Sequence, residues 1–157
     1  MVDQRSEEVV YRRHAQELVR FASGLVGVDD APDVVSNAFI RLAASSAWAE
    51  AGDRRALWFR AVAYEAETWK RSNIRRRDRE RRARYTATWV ATMPEPDYDI
   101  VAAFSVLSNQ QRAVVMLTYW ADHDPVGISE LLGVSQGTVR KQLARARRKL
   151  RSELDER

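Results

Sequence analysis

Arg140, Lys141, Gln142, Arg145 and Arg148 lie in one run with a helical apolar period. Val139, Leu143, Ala146 and Leu150 recur at intervals of four, three and four residues, which keeps them on one face. That face must pack on something, so Thr138 and the polar residues named above point the other way. Arginine can pair bidentately with guanine in a DNA major groove, and glutamine can do so with adenine. Arg140, Lys141, Gln142 and Arg145 are therefore candidates for base contact. Ser135 can cap the start of the run, because its hydroxyl can accept a bond from an otherwise unpaired backbone N–H. A helix N-terminus also suits a phosphate, and Ser135 and Thr138 are placed for one. The preceding ISELLGVS supplies a first helix and a tight turn at 133–135. Together these make a helix-turn-helix, whose second helix enters the groove. The competing reading is an amphipathic helix with a solvated basic face.

A second group interleaves aromatic rings with cations: Trp58, Phe59, Arg60, Tyr64, Trp69, Lys70 and Arg71. Single strands are held this way, with bases stacked on rings and phosphates on cations. Trp58, Val62 and Trp69 share one helix face, so burial competes as an explanation for the tryptophans. Tyr64 lies off that stripe and is the better base contact, beside Arg60, Lys70 and Arg71.

These residues need elements to position them. The chain of 157 residues is long enough for one ordinary domain or two small ones. Net charge is only +4, but its distribution is uneven. Nine Lys or Arg fall between Lys70 and Arg84, and seven between Arg140 and Arg151. Two basic blocks suggest two contacts with a polyanion. A membrane surface would require bulky apolar residues opposite the first block, and only Ile74 and small residues stand there. No apolar run is long enough to span a bilayer, and the N-terminus has no signal-peptide pattern. With no cysteine, disulfides and thiolate chemistry are excluded, which fits a cytoplasmic protein. His14 falls on an apolar helix stripe and His123 in a polar turn. No phosphate loop or nucleophile motif is present, so no metal, no cofactor and no enzymatic activity are expected.

The period is helical throughout. Val10, His14, Leu18, Phe21 and Leu25 share one face. Asp30 and Pro32 start a helix carrying Val35, Phe39 and Leu42. A long run from Arg54 holds Trp58, Val62, Ala66 and Trp69. Ser108 and Gln111 form a capping box for the apolar helix that follows. The expected fold is all-α: two small helical domains, 1–85 and 100–157, joined by a short linker over 86–99, the second domain a helix-turn-helix.

The run LSNQQRAVVMLTYWADHDPVGISELLGVSQGTVRKQLARARRKLR resembles the C-terminal domain of bacterial RNA polymerase sigma factors, in particular the extracytoplasmic-function class of the sigma-70 family. LVRFASGLVGVDDAPDVVSNAFIRLAAS and DRRALWFRAVAYEAETWKRSNIRRR resemble the first helices and the promoter-melting helix of the same class. The resemblance implies a region-2-like domain over 1–85 and a region-4-like domain over 100–157. The latter would read duplex DNA near position −35, through Ser135, Thr138, Arg140, Lys141, Gln142, Arg145 and Arg148. Arg60, Tyr64, Lys70 and Arg71 would meet the non-template strand near −10. The helix with Asp33, Ser36, Asn37, Ile40 and Arg41 would dock on the core polymerase. Trp48 would stand in the loop that the family uses to receive a flipped base. The implied protein is an alternative sigma factor, monomeric when free, with core RNA polymerase and promoter DNA as partners. Many relatives are also held by an anti-sigma protein.

The chain departs from the family at three places, one of them the start of the C-terminal domain, where Ser108-Asn109 stands in place of a common proline. Ser36-Asn37 replaces a common Gln-acid pair, and Ala63-Tyr64-Glu65 replaces a common Ala-Arg-Asn run. Glu65 opposes a phosphate-rich strand unless it faces elsewhere. Two other functions share some of these features. One is a dimeric helix-turn-helix regulator that binds a palindrome without polymerase; the other is a sigma-like interaction module that does not initiate.

Overall fold

The structure is a computed structural model and describes residues 4–74 and 104–155. The linker expected over 86–99 lies outside the described residues. Seven helices are described, with no strand among these residues: α1 (Gln4–Val26), α2 (Ala31–Ala43), α3 (Ser46–Glu50), α4 (Arg54–Ile74), α5 (Asn109–Tyr119), α6 (Pro125–Leu132) and α7 (Gln136–Asp155).

The first four helices pack α1, α2 and α4 against one another, with α3 beside α2. The apolar stripes read from the sequence face inward. Leu18, Leu25, Val35, Trp58, Val62 and Ala66 have no exposed surface. An aromatic cluster closes one end of this bundle. Phe39 lies 4.9 Å from Trp58, 5.1 Å from Tyr11 and 5.5 Å from Trp48, ring centre to ring centre. Such pairs add to burial when edge meets face. The Trp58 indole N–H also donates to the Val35 carbonyl at 3.4 Å. Pro32 stands in the first turn of α2, where its missing N–H costs nothing. Asp30 precedes that helix, but its side chain makes no capping bond.

The second half is built on α5. Ser108 and Gln111 cap it reciprocally, at 3.2 Å and 3.0 Å. Val114, Val115, Met116 and Leu117 are all buried, because α5 is covered on more than one side. It packs on α6 and α7 and also on α1 and α4. The buried residues of both halves therefore form one continuous cluster, from Leu18 to Ala146.

Candidate nucleic-acid interface

The helix-turn-helix is assembled by local chemistry. Asp124 caps α6 through the Gly127 N–H at 2.7 Å, and Pro125 opens the helix. Gly133 ends α6 in a left-handed conformation (φ 66°), which a residue without Cβ adopts at little cost. Ser135 then starts α7: its Oγ accepts from the Thr138 N–H at 3.1 Å and lies 2.9 Å from the Thr138 hydroxyl. Val139 and Ala146 have no exposed surface and Leu143 is buried, so the apolar stripe packs as its spacing required.

That packing turns Arg140, Lys141, Arg145 and Arg148 to solvent. Three of them lie far from the buried stripe by helical angle, Lys141 and Arg148 nearly opposite it, with Arg145 next. Arg140 lies nearer its edge. Gln142 is half-buried, and its amide donates to Gln110 Oε1 on α5 at 3.0 Å. Two further cations of α7 are turned towards the rest of the domain. Arg147 Nε donates to the Tyr119 hydroxyl at 2.9 Å, and Lys149 Nζ to the Val106 carbonyl at 3.3 Å. The Gln110 partner gave no sequence signal, because it stands 32 positions from Gln142.

On α4 the four candidates for strand contact have different surroundings. Tyr64 is 71% exposed and off the buried stripe. Arg71 is exposed and pairs loosely with Glu67 at 3.5 Å. Arg60 reaches across to α6 and donates to the Glu130 carbonyl at 2.8 Å. Lys70 is half-buried where the end of α4 meets α5. Burial, with the Arg112 guanidinium adding to it, lowers its ammonium to a pKa of about 7, although Glu67 pulls the other way.

Trp48 has no exposed surface. It is packed against Phe39, and the Arg54 guanidinium lies 5.2 Å from its ring centre. A ring covered on these sides receives no flipped base in this structure, so the loop reading of Trp48 is corrected to a core role. Trp58 is likewise core, and Trp69 is half-buried.

On α2, Val34, Val35 and Ala38 are buried, which leaves a stripe of different character outside. Asp33, Ile40 and Arg41 are exposed, with Ile40 at 65%, and Ser36 and Asn37 are half-buried. The unusual Glu65 is buried and turns towards this helix. Its Oε2 lies 2.9 Å from Arg41 NH1. Its charge is thus matched inside the protein and is not aimed at the Tyr64 side. The signal was present in the sequence: Glu65 follows Val62 by three and precedes Trp69 by four, which places it on the buried stripe.

No helix among the described residues is long and apolar enough to cross a membrane. No group of three metal-ligating side chains is found among them.

Known proteins carry the same architecture. The family Sigma-70, region 4 matches residues 98–150. An RNA polymerase sigma-E factor of Streptomyces antibioticus is 40% identical over 58 residues, 37% of this chain and 32% of that protein. The match thus spans about a third of the relative's length. The sigma factor RpoE of Bartonella quintana, solved in complex with the anti-sigma factor NepR, superposes with a TM-score of 0.63. That likeness covers 94% of this chain and 96% of RpoE at 21% identity, and it is a likeness of fold. Residues 98–150 thus match the sigma-70 region 4 family, and the chain as a whole shares the all-helical fold of that solved sigma factor.

Proposed function

We propose that the chain is an alternative sigma factor that binds core RNA polymerase and directs promoter-specific initiation. The observation that carries this reading is the exposed cation face of α7 on a region 4 helix-turn-helix. It sits in a fold that also supplies a second helical body with its own exposed stripe. In this reading α7 lies in the major groove of the −35 element. Arg140, Lys141, Arg145 and Gln142 face base edges, and Ser135, Thr138 and Arg148 face phosphate. Tyr64 and the cations Arg60, Lys70 and Arg71 hold the non-template strand near −10. Asp33, Ser36, Asn37, Ile40 and Arg41 dock on the polymerase. The functional division runs 1–85, 86–99 and 100–157. The polymerase does the chemistry, and the sigma factor supplies specificity and strand capture in the cytoplasm.

The test is binding of the fluorescently labelled full chain to purified core polymerase, beside sedimentation of the free chain. A monomer that forms a one-to-one complex, weakened by Ile40→Glu, supports the reading. A dimer that ignores polymerase and binds a palindromic duplex overturns it in favour of a conventional regulator.

A further inference from the structure

The duplex-reading face of α7 is not made by α7 alone. Gln142 is half-buried, and its Nε2 donates to Oε1 of Gln110, which is exposed in the first turn of α5. The backbone at Gln110 is fixed by the cap around it. Ser108 Oγ accepts from the Gln111 N–H, and Gln111 Oε1 accepts from the Ser108 N–H. Gln111 is buried in that cap, so two adjacent glutamines face different ways and do different work. Ala113 and Val114, the next turn of α5, are buried in the core. Gln110 is therefore an amide presented to α7 from a fixed base. On α7, Gln142 follows Thr138 by four residues and precedes Arg145 by three, so the three are neighbours on one side of the helix. Thr138 is held in turn by Ser135, at 2.9 Å between hydroxyls.

A carboxamide can read a base edge in more than one way. Its oxygen accepts, and its nitrogen carries two N–H groups. Used as a pair, oxygen and one N–H suit adenine, accepting from N6 and donating to N7. With both N–H groups free, the nitrogen can instead donate to N7 and O6 of guanine, which offers acceptors alone. Gln110 Oε1 takes one of the two N–H groups of Gln142. One N–H and the carbonyl oxygen are left. That remainder fits adenine with two bonds and cytosine with one, through its N4. Against guanine it makes one bond at N7 and sets oxygen against O6.

We infer that Gln110 is a positioning residue for sequence reading: it holds the Gln142 amide so that α7 prefers adenine over guanine at one base pair of the duplex. This inference deepens the assignment of α7 to the −35 duplex and rests on it. The same bond orders a flexible side chain before DNA arrives. Ordering such a side chain on binding lowers affinity by about two- to tenfold, so its loss should weaken the adenine sequence by that factor.

The full chain, together with purified core polymerase, would bind a pool of randomised duplexes, and the bound fraction would be sequenced. Wild type should show an adenine preference at one position that Gln142→Ala abolishes. Gln110→Ala should lower the adenine-over-guanine ratio at that position about two- to tenfold and leave the other positions unchanged. Gln110→Glu should keep the ratio, because its carboxylate still accepts from Gln142, while its charge weakens all sequences alike. A merely structural role for Gln110 would move every position together. In the free chain, proton–nitrogen spectra should show one hydrogen-bonded side-chain amide proton on Gln142 in wild type and in Gln110→Glu, and none in Gln110→Ala. An unchanged ratio in Gln110→Ala, or a uniform loss at all positions, overturns the inference. A Gln142 amide signal that Gln110→Ala does not move overturns it as well. Preferences that depend on Arg145 and not on Gln142 overturn the inference and leave the duplex assignment standing. A wild-type pool with no preferred position overturns both, and the amide signal, which involves no DNA or polymerase, then shows separately whether the glutamine pair exists.

Discussion

Arg41→Ala should destabilise the protein by about 1–2 kcal/mol, and adding Glu65→Leu should recover most of that loss. The geometry fixes both signs. Glu65 is only 7% exposed at its side chain, while Arg41 is 65% exposed and 2.9 Å away. Breaking a fully buried ion pair costs ~3–5 kcal/mol, because the remaining charge is desolvated and unmatched. A fully exposed pair contributes ~0.2–1 kcal/mol. This pair lies between, since water reaches one partner and screens the charge. The Arg41→Ala variant leaves a buried carboxylate without its cation. Leucine at 65 removes that carboxylate and fits the stripe of Val62, Ala66 and Trp69, so the double variant should be the more stable of the two. Urea unfolding followed by tryptophan fluorescence measures it, with Trp48 and Trp58 buried in the same bundle. Effects of the two changes that add within ~0.5 kcal/mol, with no recovery, would show that the two side chains are not coupled.

Three further outcomes are expected. In transcription assays across promoter variants, Arg145→Ala should cost about 1–3 kcal/mol and relax preference at one base pair. Arg148→Ala should weaken all sequences alike and lower the salt slope by about one; the reverse pattern would contradict the placement of α7. On the acid side, burial pushes Glu17 up, but hydrogen bonding to Arg55 and its charge, helped by His14, hold the carboxyl below its usual 4.5. Its stabilisation is therefore present above that value and lost as pH falls through the lower folded value. Arg55→Ala should flatten this part of a stability–pH curve, and an unchanged slope would exclude the pair as its source. Lys70 has the opposite chemistry: its charged form is disfavoured in the packed state, facing Arg112 on α5 and Glu67 on α4. Packing of the two halves should weaken as pH falls from 10.5 towards about 7, by at most about tenfold per pH unit. Stability to urea should fall from pH ~9 to ~7, and Lys70→Met should abolish the trend.

Local chemistry was readable from the sequence. The Ser108–Gln111 capping box, the Ser135 cap and the Gly133 turn each depend on residues a few positions apart. The stripes of α1, α4 and α7 follow from period alone. Faces shared between a structural and a functional role were harder to assign. Trp58 and Trp69 share the buried stripe of α4, while Tyr64 falls outside it and is exposed. Trp48 was misplaced because a loop position was inferred by analogy, whereas five residues there form α3 and turn the ring onto Phe39. The contacts of Arg60 with Glu130 and of Gly24 with Met116 join residues 70 and 92 positions apart. No periodicity encodes them, because each depends on how one finished bundle meets another.

The central claim is that this chain directs initiation, and multi-round transcription in vitro tests it most directly. Purified core polymerase, the full-length chain and fragmented DNA from its host would be combined, and transcript starts mapped. The account predicts starts that require the chain, lie downstream of two spaced elements and shift in sequence preference with Arg145→Ala. Starts that are the same with and without the chain, despite tight binding to polymerase, would contradict it and leave an interaction module.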